Sequence, residues 1–386
     1  MITKRIRQLE PSPTFELAAK AKKLKAEGVS VVDMALGEPD FITPKNVREA
    51  AIKSIHEGFT HYTATQGSDL LRNAVAKKLL SENGVSYNKK EVVIGVGSKQ
   101  LLYNAFQVLC SSGDEVLVSV PTWSTYIEQI KLSSAKPVLL RIEPPFKLES
   151  SDLIDKISPR TKIILLNSPS NPTGAVIEKE ELEKIAEIAF EKNIYIISDE
   201  IYEKLIYEGE HVSIASFSNE IKERTLTIGG FSKAHAMTGW RVGYAAGAEE
   251  IIRAMISLQG QTTSNTCSVS QMAALEAVEG SQESVKSMLI EYGKRRDFAD
   301  CQLSQVEEIT YTKPEGAFYF FVNIKNMLGS KYKSSSEWCE HLLEKEAVAV
   351  VPGEAFLYPG YFRFSLTNSL ENISEAIKRI KRFIRS

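Results

Sequence analysis

Three segments of the chain gather residue types that could do chemistry together. In ISDEIY (197–202), an apolar run ends on two carboxylates, Asp199 and Glu200, with Tyr202 just beyond. A carboxylate at the end of a buried strand costs free energy unless a cation or a hydrogen-bond donor meets it. The segment GGFSKAHAMTGWRVGY (229–244) places Ser232, Lys233 and Arg241 together after another apolar run. A lysine held near other cations loses proton affinity, and its free amine can attack a carbonyl carbon. In VIGVGSKQ (93–100), a strand pattern passes through a glycine turn into a helix start. Unpaired N–H groups at such a helix N-terminus, here Gly97, Ser98 and Lys99, suit a phosphate. Taken singly, each segment has a plainer reading: a tight turn, a surface lysine beside a structural arginine, or a helix cap.

The elements that must position these residues are legible as apolar runs. EVVIGVG (91–97), DEVLVSV (114–120), KIILLN (162–167), IYIIS (194–198) and TLTIGG (225–230) alternate with helical patterns. Leu101, Leu102, Ala105, Phe106 and Leu109 fall at helical spacing, and a further helix is expected over about 179–192. Continuous rather than alternating apolar strands imply a mostly parallel sheet covered on both faces, an α/β architecture. A large domain is expected over 48–285. A smaller α+β domain is expected from both termini, 1–47 and 286–386, with a basic helix over 12–28. Its C-terminal part mixes the strand patterns AFYFFVNI, VAVVPG and YFRFSLT with a final helix, for which Asn368 and Glu371 resemble a capping box. Ligands of open parallel sheets bind beyond the strands' carboxyl ends. Those ends carry Gly97-Ser98-Lys99, Pro121-Thr122-Trp123, Asn167 to Asn171, Asp199 to Tyr202 and Gly230 to Lys233. Their convergence is stronger evidence than any one motif.

Bulk properties narrow the field. A length of 386 residues suggests two to three domains, and 43% hydrophobic with 25% charged residues is ordinary for a globular protein. The net charge of -2 gives no reason to expect nucleic acid or an anionic membrane as a partner. Cys110, Cys267, Cys301 and Cys339 are far apart, so disulfides and zinc are not expected and a reducing cytoplasm fits. The five histidines show no ligand spacing, so no metal is expected. No apolar run approaches the roughly 20 residues of a membrane span, and no targeting segment is expected.

The motifs NPTG (171–174), SDEIY (198–202) and SKAHAMTGWRVGY (232–244), in this order, resemble the class I, fold-type I pyridoxal-phosphate aminotransferases. The likeness runs from LGEPDF (36–41) to YFRFSLT (361–367), and is greatest to the bacterial aspartate and aspartate/prephenate branch. It implies a mostly parallel seven-stranded sheet and pyridoxal 5'-phosphate as cofactor. By the resemblance, Lys233 forms the internal Schiff base and moves the proton, while Asp199 pairs with the protonated pyridine nitrogen. Tyr202 and Asn171 then hydrogen-bond the ring's 3-oxygen, and Trp123 stacks on the ring. The phosphate falls to Gly97, Ser98, Lys99, Ser232, Arg241 and Tyr62 of the partner subunit, which implies a homodimer with sites at the interface. His235 is expected behind this shell rather than as a proton carrier. The substrate carboxylate falls to Arg363, helped by Gly37, Asn171 and Trp123.

The side-chain pocket is less defined. No motif matches the partner-subunit arginine of the better-known aspartate enzymes; in the branch resembled, a lysine in the glycine turn takes that role, here Lys99, with Ser12 and Thr14 near. Aspartate with 2-oxoglutarate is the expected pair, while prephenate and aromatic or other neutral amino acids stay open. A C–S β-lyase on the same scaffold is the nearest rival. A nicotinamide dehydrogenase would need glycine where Gln100 interrupts the fingerprint. A cofactor-binding transcription regulator would need a DNA-reading domain ahead of GEPDF.

Overall fold

The computed structural model describes residues 2–9, 13–329 and 331–386. Strand β1 (Val32–Asp33) opens a series of thirteen among the described residues. The next seven are β2 (Val92–Gly95), β3 (Glu115–Val120), β4 (Lys136–Arg141), β5 (Thr161–Asn167), β6 (Tyr195–Asp199), β7 (Thr225–Gly230) and β8 (Gly243–Ala246). They form one sheet in the order β2-β8-β7-β6-β5-β3-β4. Strands β3 to β7 pair in parallel, and β8 lies antiparallel between β7 and β2. Two antiparallel steps restore direction, so β2 points the same way as β7 and its glycine turn reaches the same edge.

The continuous apolar strands have a simple cause. Successive side chains face opposite sides of a sheet, and here both sides are buried. Ile163 and Leu165 join a core with Phe106 and Ile252, whereas Ile164 and Leu166 join another with Leu182 and Ile185. Helices Gly97–Leu109 and Lys179–Glu191 thus cover opposite faces.

The remaining strands are β9 (Thr310–Tyr311), β10 (Tyr319–Asn323), β11 (Val348–Ala349), β12 (Val351–Pro352) and β13 (Tyr361–Ser365). Four of them form an antiparallel sheet in the order β12-β13-β10-β9, while β11 pairs in parallel with β1 and so joins the two ends of the chain. The helix Leu370–Arg385 turns Ile373, Ala376, Ile377, Ile380 and Phe383 into the core beside β10 and β13.

Two local expectations are corrected. Within the described residues the basic N-terminal helix is Pro13–Ala26, so it ends two residues before the expected Gly28, while residue 12 lies outside the described residues. The last helix is capped by Ser369, whose side chain accepts from the Asn372 N–H over 3.2 Å. Asn368 lies one residue too early for the box with Glu371; its Oδ1 accepts from Ser369 N–H and Asn372 Nδ2 instead.

Candidate active site

The carboxyl edge of the large sheet brings the sequence-marked residues together. Asn167 and Asp199 close their strands side by side in register, and Asn167 Nδ2 donates to the Asp199 carbonyl over 3.0 Å. The side chain of Asp199 is buried; Oδ2 accepts from Tyr126 Oη over 2.7 Å and Oδ1 from the Ile201 N–H over 3.2 Å. Among the described residues no cation lies at ion-pair distance from it. Burial therefore lifts its pKa to about 6, although the Tyr126 and Ile201 donors pull the other way.

Lys233 follows β7 by three residues, and its Nζ donates to the Gly37 carbonyl. Burial lowers its pKa to about 8, with the positive charges of Arg363 and Arg241 acting in the same direction against Glu38 and Asp199. An amine so placed is largely a nucleophile at mildly alkaline pH.

At the other end lies a turn that leaves little room for side chains. A Cβ on Gly97 (φ 75°) would come 2.8 Å from Arg241 Nη2, and one on Gly230 would come 2.9 Å from Ser98 Oγ. Arg241 itself is left-handed at φ 53°, ψ 52°, and its Nη1 donates to the Thr238 carbonyl over 2.7 Å. The Ser98 hydroxyl is engaged on the Gly229 carbonyl over 2.9 Å, so its backbone N–H is what it offers an anion. Ser232 is buried beside this turn.

Arg363, on the inner strand β13, sits with its guanidinium carbon 4.3 Å from the Tyr319 ring centre. Its Nη1 donates to Asn171 Oδ1 over 3.0 Å and its Nη2 to the Ala35 carbonyl over 2.8 Å. Nε is buried and has no hydrogen-bond partner among the described residues. Gly37 borders this group: a Cβ there would lie 3.5 Å from Arg363 Nη2. Tyr202 Oη lies 3.0 Å from Tyr319 Oη.

Lys99 carries its ammonium 4.7 Å from the Trp123 ring centre. Partial desolvation and the Arg241 charge lower its pKa. Tyr62 stands 90% exposed, away from any packing that would explain a phenol there. Ser12 lies outside the described residues, as does the side chain of Thr14 on the helix Pro13–Ala26. His235 is buried behind the site, and burial lowers its pKa to about 4.

Sequence reasoning missed Tyr126 and Tyr319, and it marked Asn167 at a strand end without giving its side chain a role. The first was recoverable: it follows Trp123 by three residues, and so lies one helical turn on. It also gave no role to a group just past Asp199 in the chain, where the buried Glu200 and the half-buried Glu203 and His211 offer ligand atoms within 4.8 Å of one another. Lys78 supplies the cation there, bonding Glu203 and donating to Asn83 Oδ1 over 2.8 Å.

A buried carboxylate awaiting a cation, a depressed lysine amine and a tight anion turn face one edge, with an arginine Nε unmatched beside them. This set fits an aromatic ring bearing a basic nitrogen, an aldehyde and a phosphate. The profile of the family "Aminotransferase class I and II" matches residues 29–380. The chain belongs to that family. This aminotransferase is 44% identical to an aspartate aminotransferase of Bacillus sp. (strain YM-2), over 100% of this chain and 99% of that protein. It is also 44% identical to a Rickettsia prowazekii protein named "Probable aspartate/prephenate aminotransferase", over 99% and 98% respectively. The aspartate aminotransferase from Thermus thermophilus solved with maleate superposes with a TM-score of 0.94 at 39% identity, covering 99% of each chain. The Rhizobium meliloti aspartate aminotransferase gives a TM-score of 0.95 at 37% identity, covering 99% of this chain and 98% of that one. Fold-type I architecture, expected from the motifs, is what the aminotransferase has. Among its described residues no helix is long and apolar enough to cross a membrane.

Proposed function

We propose that this aminotransferase uses pyridoxal 5'-phosphate to move the amino group of L-aspartate to 2-oxoglutarate, yielding oxaloacetate and L-glutamate, with prephenate as a further acceptor. The observation that carries the reading is the buried Asp199 at the end of β6, with the half-buried Lys233 three residues beyond the neighbouring strand β7. When bound, the cofactor supplies a cationic ring that accepts electrons from the substrate's Cα–H bond.

The chain's own residues do the rest. Asp199 holds a fixed negative charge for the ring nitrogen. Lys233 would hold the cofactor through its amine and, once freed by substrate, would take and return the proton at the substrate's Cα. Because Asn171 Oδ1 already accepts from Arg363, its Nδ2 is the atom left to donate to the ring's 3-oxygen beside Tyr202. Trp123 covers the ring. Gly97, Ser98, Lys99, Ser232 and Arg241 hold the phosphate, together with Tyr62 of the partner subunit. Exposed Ile42, Ile52, Ile55, Phe59 and Leu70, which flank Tyr62 in the sequence, support a homodimer with shared sites.

Arg363 binds the substrate's α-carboxylate and Gly37 adds a backbone contact. Lys99, with Ser12 and Thr14, takes the distal carboxylate; the maleate complex of the Thermus thermophilus relative favours a dicarboxylate. The segments 1–47 and 286–386 form a small domain that closes on a large domain of 48–285 and excludes water. The free cysteines suit a reducing cytoplasm.

A donor-and-acceptor panel on purified protein, with prephenate included, tests this reading. Aspartate with 2-oxoglutarate should give the highest kcat/KM. Ammonia and pyruvate released without a keto-acid acceptor would instead establish a β-lyase.

A further inference from the structure

The contact between Tyr126 and Asp199 goes beyond the residues assigned above. Tyr126 lies in the first turn of the helix Thr125–Leu132, its ring 2% exposed in the core with Phe106, Ile127 and Leu165. Trp123 packs edge-on against it, ring centres 5.3 Å apart at 85°. A tyrosine so enclosed has few rotamers left, so its hydroxyl is a fixed donor rather than a searching one. That hydroxyl meets Asp199 Oδ2 at 2.7 Å, within the range of strong O–H···O⁻ bonds. Ile201's N–H occupies Oδ1, and Asn167 holds the aspartate's backbone carbonyl.

We infer that Tyr126 is a positioning residue, whose phenol fixes the plane and the charge of the Asp199 carboxylate so that its open lone pairs meet a cationic ring nitrogen. The inference deepens the cofactor reading and rests on it for the identity of that cation. Removing the donor leaves a buried carboxylate with only a backbone amide on it, and such a group takes up a proton more readily. The other groups that bear on Asp199 are Glu200, which favours its protonation, and Lys233, which opposes it. Burial holds the Tyr126 phenol protonated throughout the working range, with the Asp199 charge adding to the effect. The bond therefore keeps one direction, phenol to carboxylate.

The test uses Tyr126→Phe and, in parallel, replacement of Tyr126 by 3-fluorotyrosine, a more acidic phenol of nearly the same shape. In cofactor-free protein carrying 13C-labelled aspartate, the Asp199 carboxyl signal is assigned by its loss in Asp199→Asn. Its titration midpoint should rise in Tyr126→Phe and fall in the fluorotyrosine protein. The dissociation constant for pyridoxal 5'-phosphate should rise about tenfold to a hundredfold in Tyr126→Phe, the worth of a hydrogen bond to a charged group. Carboxyl midpoints that stay at the wild-type value in the fluorotyrosine protein would overturn the inference, and they decide it should Tyr126→Phe not fold. The carboxyl titration needs no cofactor, so a wild-type protein that bound none would sink the cofactor reading alone.

Discussion

Arg363 and Asn171 meet across the two sheets, Nη1 of the arginine donating to Oδ1 of the asparagine over 3.0 Å. One residue comes from β13 and the other from the loop after β5, so this contact joins the carboxylate clamp to the ring-binding loop. It also orients both groups: the arginine keeps Nε unpartnered, and the asparagine keeps its NH₂.

A planar guanidinium can offer a carboxylate two parallel bonds, whereas an ammonium is a point charge. Arg363→Lys should therefore raise KM for every amino acid tested by about tenfold to a hundredfold, the worth of one charge-assisted bond. Steady-state kinetics with aspartate, alanine and phenylalanine check this. Equal KM values would show that the α-carboxylate is held elsewhere.

Lys99 lies over Trp123 and near Arg241, where it could serve either a distal carboxylate or the phosphate. Lys99→Ala should lower kcat/KM for aspartate by at least about tenfold more than for alanine. A uniform loss across donors would reassign Lys99 to the phosphate.

The lysine amine has its own pH signature. Burial, Arg363 and Arg241 bring Lys233 to about 8 from an ordinary 10.5. A depressed amine disfavours folding below pH 8, and that penalty is relieved as pH rises from there toward 10.5. In cofactor-free protein the rate of cofactor uptake should climb through a midpoint near pH 8 and then level. A rate still climbing with a midpoint near 10.5 would mean that Lys233 is not desolvated.

His211 gives an opposite slope. Burial lowers its pKa, but the Glu200 charge and hydrogen bond at 3.0 Å, with Glu203 beyond, outweigh that and raise it. A raised imidazole stabilises the fold fully below its unfolded pKa, and the contribution fades as pH rises through the folded value. The Tm advantage of wild type over His211→Asn should accordingly shrink as the pH is raised from 6 upward. An advantage independent of pH would mean that the pair is not charged.

Much of this was readable from the sequence, and the failures have causes. Apolar runs of period one announced a sheet buried on both faces, and residues just past them marked the site, because strand direction fixes which edge carries the loops. Lys233, Asp199, Asn171 and Arg363 sit in local motifs and needed no tertiary knowledge. Tyr126, Asn167 and Tyr319 act through partners 73, 32 and 117 residues away, and such pairings appear only once strands are in register. The same holds for the Lys78 charge paired with Glu203, since nothing near position 203 in the sequence signals it. The end of the last helix shows the finer limit: Asn368 and Ser369 are both good caps, and a one-residue choice depends on where the strand before them ends.

The most direct measurement is borohydride reduction of the purified protein with bound pyridoxal 5'-phosphate, followed by peptide mass mapping. A stable phosphopyridoxyl adduct on Lys233, with loss of the visible absorption band, is the result expected. Protein that is reduced without any adduct at Lys233, or with the adduct on another lysine, would contradict the pairing of that amine with the Asp199 carboxylate about one cofactor.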